Sequence, residues 1–307
     1  MQVASLSEYL DTRRVQIEAA LSRFLPVPPA CPQNVYEAMR YSLMAGGKRL
    51  RPILTLAAAE TVAGGSTSSD RAIQLALPAA CALEFIHTYS LIHDDLPAMD
   101  DDSLRRGQPT SHVVYGEGMA ILAGDGLVTE AFALMAAEPQ DPAVAPRKLR
   151  SIGIVAAAAG AAGMVGGQAL DLQAVGAAAT LTGGSLQNMH VRKTGALIRA
   201  AATVGAVMAG GDEDSIRAVE EYGRHMGLAF QTVDDILDVE GEAKDLGKTA
   251  GKDAKAGKPT YPSLYGLDAS RRLASECYDS ALSALASAGL RHGRLADIAS
   301  WVIRRNN

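Results

Sequence analysis

At 307 residues, with 48% hydrophobic and 21% charged side chains, the chain has the profile of a globular protein able to bury a large core. A net charge of -5 argues against a nucleic-acid partner, which would require a broad basic surface. Three scattered cysteines (Cys31, Cys81, Cys277) without a CxxC pair suit a reducing cytoplasm better than a disulfide-built fold.

In chain order, residues 1–25 predict an amphipathic helix carrying Arg13, Arg14, Glu18 and Arg23, without the apolar core of a signal peptide. Next, Gly46-Gly47-Lys48-Arg49-Leu50-Arg51-Pro52 packs three cations between two glycines and a proline. Glycine lets a backbone approach an anion closely, and the Arg fork suits phosphate oxygens. Alanine-rich segments with apolar spacing near 3.6 dominate from end to end, and alternating β-branched strands are hard to find. Breaks at Ala63–Asp70, Glu138–Lys148, Gly183–Ser185, Ala209–Asp214 and Gly241–Pro262 read as turns between antiparallel helices. The expected fold class is therefore all-α, one unit over residues 1–307. The uncharged stretch Ile152–Gly167 is shorter than a bilayer span and rich in Ala and Gly, so it predicts a tightly packed internal helix and no membrane span.

The segment LEFIHTYSLIH leads into Asp94–Asp102 (DDLPAMDDD), which holds five aspartates in nine residues. Pro97 prevents the cluster from staying helical; a helix ending near Leu96 would present Asp94 and Asp95 at its mouth and fold Asp100 back beside them. His87 lies seven residues before Asp94, about 20° away around the helix, and so faces the same space. Arg105 and Arg106 follow the cluster directly, and Lys193-Thr194 stand further along. A second cluster, Asp234-Asp235-Ile236-Leu237-Asp238, follows the apolar MGLAFQTV. There Asp234 and Asp238 lie roughly 40° apart on one face, which Gln231 shares one turn earlier. Carboxylates so concentrated repel one another and call for a cation. Oxygen ligands with little nearby His or Cys point to Mg²⁺, typically shared with phosphate oxygens and water. Lys248, Lys252, Lys255 and Lys258 then fall in a Gly- and Pro-flanked loop that reads either as a solvated face or as a flap.

In these motifs the chain resembles the trans-type prenyl diphosphate synthases, and among them the bacterial farnesyl diphosphate synthases. The resemblance runs through GGKRLRP at 46–52, EFIHTYSLIHDDLPAMDDDSLRRGQPTSH at 84–112, AGDGL at 123–127 and GGQALDL at 166–172. It continues through KTGALI at 193–198, FQTVDDILDVEG at 230–241 and KDAKAGKPTYPSL at 252–264. It implies about ten core helices around a central cavity, usually in a homodimer, with about three Mg²⁺ ions between the two aspartate motifs. By matching position, Asp94, Asp95 and Asp100 serve the metals from the first motif, and Asp234, Asp235 and Asp238 from the second. Lys48, Arg51, His87 and Arg106 match an isopentenyl diphosphate site. Arg105, Lys193, Thr194, Gln231, Lys248 and Lys258 match the site of dimethylallyl or geranyl diphosphate, with Arg105, Lys193, Thr194 and Gln231 as the catalytic residues the resemblance implies and the oxygens of Thr194 and Gln231 facing the developing cation.

Tyr89 lies five residues before Asp94, hence about 7.5 Å deeper along the helix. Spacing alone makes Tyr89 and Phe85 ordinary packing aromatics. Within the resemblance, an aromatic at Tyr89, supported by Phe85 and Ser90, implies a cavity floor and a C15 product. A geranylgeranyl or geranyl diphosphate synthase differs only in that floor. A terpene cyclase would replace the second motif and has little use for GGKRLRP. A non-catalytic regulatory subunit would lose an aspartate motif, and both stand intact here. The C-terminal Arg304-Arg305-Asn306-Asn307 resembles a basic tail that closes over such a site.

Overall fold

The computed structural model describes residues 5–64, 66–174, 182–240, 260–290 and 293–305. Helix α1 (Leu6–Phe24) begins in a capping box: Ser5 Oγ accepts from Glu8 N–H while Glu8 accepts from Ser5 N–H at 2.7 Å. After α2 (Gln33–Leu43) the chain turns through Gly46 and Gly47, both at positive φ (83° and 120°), into α3 (Leu50–Ala63). The turn is pinned from inside. Arg49, 3% exposed, donates to Glu84 at 2.8 Å and to the Leu43 carbonyl at 2.8 Å. Helix α4 (Ser66–Asp94) resumes at once, so the break read at Ala63–Asp70 is shorter than the sequence suggested.

Short α5 (Ser111–Tyr115) and α6 (Glu117–Ala137) follow, then α7 (Ala145–Ala159), α8 (Met164–Ala174) and α9 (Gly183–His190). The stretch Ile152–Gly167 is thus not the single internal helix expected, because the chain turns between Ala159 and Met164. Nor is Gly183–Ser185 a break; it opens α9, where the Thr182 hydroxyl accepts from Ser185 N–H. A π-helical turn, Val191–Gly195, joins α9 to α10 (Ala196–Ala209). Helices α11 (Glu213–Glu240), α12 (Tyr261–Tyr265), α13 (Leu267–Ser287) and α14 (Arg294–Arg304) complete the bundle.

The core gathers around α10, packed against α3, α4, α7 and α11. The Ala and Gly content lets these helices approach closely: a Cβ on Gly205 would stand 2.1 Å from the Thr55 carbonyl oxygen of α3. By length and composition three segments would reach across a bilayer (Ser68–Asp94, Glu117–Ala137 and Pro142–Ala174), which corrects the sequence count of none. Burial inside the bundle accounts for the first, whose most apolar window is 67% buried; the other two are 33% buried. The expected lack of strands also needs one correction. Leu104–Arg105 pairs antiparallel with Gln108–Pro109 across a turn in which Arg106 and Gly107 both have positive φ (53° and 76°).

Candidate active site

A cavity of about 360 Å³ opens between α4, α8 and the π turn, and Arg51, His87, Tyr89, Ser90, Asp94, Lys193 and Thr194 are among its walls. Phe85 does not line it; that ring is fully buried in the core, so only Tyr89 and Ser90 of the expected floor residues stand in the wall. The Tyr89 ring meets His93 edge-on at 5.6 Å, and His93 Nε2 lies 3.1 Å from the Ile121 carbonyl oxygen on α6.

Helix α4 stops at Asp94, two residues before the expected end. The backbone then doubles back so that Asp100 N–H donates to the Asp94 carbonyl at 2.9 Å and Asp102 N–H to that of Asp95 at 3.2 Å. Asp94 faces the cavity, and its carboxyl is pushed up to about 6, chiefly by burial, with Asp100 and Asp95 adding to the rise against Lys193 and Arg105. Asp95 turns the other way. It is 3% exposed, and Arg105 holds it bidentately, with Nε 2.9 Å from both oxygens and a terminal nitrogen 2.6 Å from Oδ1. The small hairpin that carries Arg105 therefore serves the acid beside it, leaving less of that guanidinium for a substrate than expected.

The second motif divides in the same way, but inside an unbroken helix. Asp234 is partly exposed and pairs with Arg305 from the C-terminal end, whose guanidinium lies over the Phe230 ring at 3.9 Å. Asp235 is 3% exposed; its Oδ1 accepts from Gln231 Nε2 and its Oδ2 from Tyr261 N–H, both at 2.9 Å. Gln231 thus pairs with Asp235 one turn on. Asp238 is partly exposed one turn beyond Asp234.

Asp95 and Asp235 are thus buried and bonded to protein donors within the fold, whereas Asp94 and Asp234 are the first acid of each pair, Asp234 still meeting Arg305. Among the described residues no three His, Cys, Asp or Glu side chains converge on one point as a ready-made metal cage. Asp94 in the cavity wall, with partly exposed Asp100 folded back beside it and partly exposed Asp234 on α11, offers an oxygen-only set with one carboxyl made hard to ionise by its surroundings. That fits a hard divalent cation completed by phosphate oxygens and water.

Of the expected cations, Arg51 and Lys193 stand in the same wall. Arg51 Nε is buried without a hydrogen-bond partner, an orphaned donor of the kind an anion would satisfy. Burial, reinforced by Arg51, Arg106, Arg105 and Arg49, holds His87 well below its usual range, so it is a neutral imidazole at pH 7. Arg106 donates to the Gly46 carbonyl, and its guanidinium lies against Gly47, whose φ of 120° favours glycine there. Lys48 lies over the Trp301 ring at 5.7 Å. Lys193 donates to Asp171 at 2.5 Å, and the Thr194 hydroxyl to Gln231 Oε1 at 2.9 Å. A Cβ on Gly167 would lie 2.2 Å from the Lys193 backbone nitrogen, so α8 and the π turn meet backbone to backbone. Lys248 and Lys258 lie outside the described residues.

Sequence reasoning missed Asp171 as a site residue. It is buried against Lys193, and it is the only Asp, Glu, Lys or Arg between Arg150 and Arg192. A lone acid in so long an apolar run was the signal.

An acid at a helix end together with Arg51 and Lys193 in the wall of a partly apolar cavity is an arrangement suited to an anionic substrate with an apolar tail. The family model described as polyprenyl synthetase matches residues 32–287. A heterodimeric geranylgeranyl pyrophosphate synthase large subunit from Arabidopsis thaliana is 47% identical over 270 residues, 87% of this chain and 70% of that protein. A farnesyl diphosphate synthase from Geobacillus stearothermophilus is 43% identical over 308 residues, the whole of both chains. The crystal structure of an FPP/GFPP synthase from Zymomonas mobilis superposes with a TM-score of 0.79 at 35% identity, covering 97% of each chain. The chain belongs to the polyprenyl synthetase family and is a prenyl diphosphate synthase.

Proposed function

We propose that the enzyme condenses isopentenyl diphosphate with dimethylallyl and then geranyl diphosphate, releasing diphosphate and giving (2E,6E)-farnesyl diphosphate. The observation that carries the C15 assignment is the Tyr89 ring in the cavity wall below Asp94, propped edge-on by His93. Relatives of similar identity carry both farnesyl and geranylgeranyl names, which keeps a C20 product as the second reading.

Asp94, Asp100 and Asp234 would hold Mg²⁺, with Asp238 one turn behind; the bound metal supplies charge neutralisation of the departing diphosphate. Lys193, kept in place by Asp171, and the remaining donors of Arg105 face that same leaving group. Arg51, Arg106, Lys48 and neutral His87 form a second anion pocket, which would hold isopentenyl diphosphate so that its double bond lies against the allylic carbon. As the allylic carbon–oxygen bond breaks, the oxygens of Thr194 and Gln231 stabilise the developing cation. The double bond attacks it, and the proton lost from the new chain goes to the diphosphate just released, so no protein base is assigned.

A homodimer is proposed as well. It is supported by the uncovered apolar side chains Val113 and Val114 of α5 and Ile121 and Leu122 of α6, all of them exposed. A cytoplasmic setting is proposed from three unpaired cysteines, two of them buried.

Product analysis by mass spectrometry tests the floor. Wild-type protein should give mainly C15, and Tyr89→Ala should shift output to C20 or longer. Unchanged C15 from Tyr89→Ala would refute the assignment of the floor to Tyr89.

A further inference from the structure

Asp235 sits in the middle of a hydrogen-bonded chain that ends in the cavity wall: Tyr261 N–H to Asp235, Gln231 to Asp235, Thr194 to Gln231, each at 2.9 Å. The direction of every bond in this chain is fixed by one property of its charged member. A carboxylate only accepts, so Gln231 must turn its amide nitrogen towards Asp235 and its oxygen towards Thr194. The amide oxygen only accepts as well, so the Thr194 proton points at Gln231 and the hydroxyl lone pairs are left to the cavity that Thr194 lines. Burial gives Asp235 no bulk water to re-aim these groups; the residue is 3% exposed.

We propose that Asp235 is a positioning residue, not a metal ligand: it sets the polarity of the Gln231–Thr194 pair so that oxygen lone pairs, rather than a hydroxyl proton, meet positive charge developing on the substrate. This rests on the allylic-cation reading above. A proton aimed at a forming carbocation opposes it, whereas a fixed lone pair stabilises it without reorganisation at the moment of reaction.

A substitution that keeps shape and reverses polarity tests this. In Asp235→Asn the bond from Tyr261 N–H needs the new side chain's oxygen, which leaves its amide nitrogen facing Gln231. Gln231 must then flip, donate to Thr194, and drive the Thr194 proton into the cavity. Turnover should fall on the order of 10²-fold, the scale on which a single oriented dipole acts in such sites. The Mg²⁺ dependence of turnover should stay within about twofold of wild type, because no metal carboxylate has been lost. The double variant Asp235→Asn/Gln231→Glu exchanges amide and carboxylate. The amide now at position 235 would donate to one oxygen of the carboxylate now at position 231, and Thr194 to the other, so the lone pairs face the cavity again. The double variant should recover about tenfold over Asp235→Asn.

The readout besides turnover is the rise in melting temperature on adding Mg²⁺ and inorganic diphosphate to each protein. The proposal expects Asp235→Asn to keep that rise. Loss of the rise, a much larger Mg²⁺ requirement, or no recovery in the double variant would overturn it and return Asp235 to the metal. Should Asp235→Asn fail to fold, a folded double variant with near-wild-type Mg²⁺ dependence still supports the proposal, and a folded inactive one overturns it. A wild-type protein that forms no carbon–carbon bond defeats the functional reading and this proposal together; an active wild type with a failed exchange defeats this proposal alone.

Discussion

The two aspartate motifs are nearly the same in sequence, yet the chain solves their charge in different ways. At Asp94-Asp95 the helix ends and a hairpin delivers Arg105 onto the second acid, so a full positive charge neutralises the buried carboxylate. At Asp234-Asp235 the helix continues, and the partners of the second acid include an amide and a backbone N–H. In both motifs the first acid stays more open: Asp94 lines the cavity and Asp234 is partly exposed beside Arg305. Counting acids therefore overstates the ligands, because one of each adjacent pair is consumed in holding the site together.

Several substitutions would break or sharpen this contrast. The largest effect should come from Asp94→Ala or Asp234→Ala, each lowering turnover by orders of magnitude in a protein that still folds, since each removes a proposed metal carboxylate. The metal-free melt should not fall in Asp94→Ala at pH 7, and should fall in Asp234→Ala, which leaves the buried Arg305 without this acid. Steady-state kinetics beside a thermal melt checks this. Next, Asp95→Asn should cost stability of about 3 kcal/mol, because it takes the bidentate carboxylate from a mostly buried Arg105 and leaves only the longer contact to Asp102. Asp235→Asn should cost about 1–3 kcal/mol, the range for disturbing buried neutral bonds. Urea unfolding of the two variants side by side would show whether the losses at Asp95 and Asp235 differ in this order.

A third effect concerns pH. The Asp94 carboxyl lies at about 6 in the folded protein, above its ordinary value of 3.8, so the folded state holds a proton there that the unfolded chain has released. Ionised Asp94 thus detracts from stability above pH 6, and this site makes the metal-free protein more stable as pH falls from 6 towards 3.8. Metal binding needs the ionised form, so Mg²⁺ affinity should fall by about tenfold per pH unit below that value. Calorimetry at several pH values gives the slope. Smallest of all, Arg305→Ala should lower the Mg²⁺ requirement by about a few-fold, because the cation now paired with Asp234 would be gone. A raised requirement would mean that Arg305 helps to hold substrate instead.

Much of this was legible in the sequence. Periodicity and the Gly and Pro breaks predicted the helices, and Pro97 keeps α4 from running on through the first acid cluster. Of the clustered acids and cations, Asp94, Arg51, His87 and Lys193 stand in the cavity wall. What escaped has physical reasons. Two-residue strands are too short to alternate, so only the Arg106-Gly107 turn signalled the hairpin. The Ala- and Gly-rich run hid the turn between α7 and α8, because small residues favour a tight turn and a packed helix alike. The π turn that presents Lys193 and Thr194 is a matter of hydrogen-bond register, which composition does not encode. Spacing also left open which acid of each pair turns inward, since that depends on where Arg105 and Tyr261 land.

The most direct measurement is Mg²⁺ binding in the presence of inorganic diphosphate, followed by calorimetry for wild type and the Asn variants of Asp94, Asp95, Asp234 and Asp235. Loss of binding in Asp94→Asn and Asp234→Asn, with retention in folded Asp95→Asn and Asp235→Asn, is the expected pattern. Equal loss in all four folded variants would contradict the division of each motif into one more open acid and one internally bonded acid.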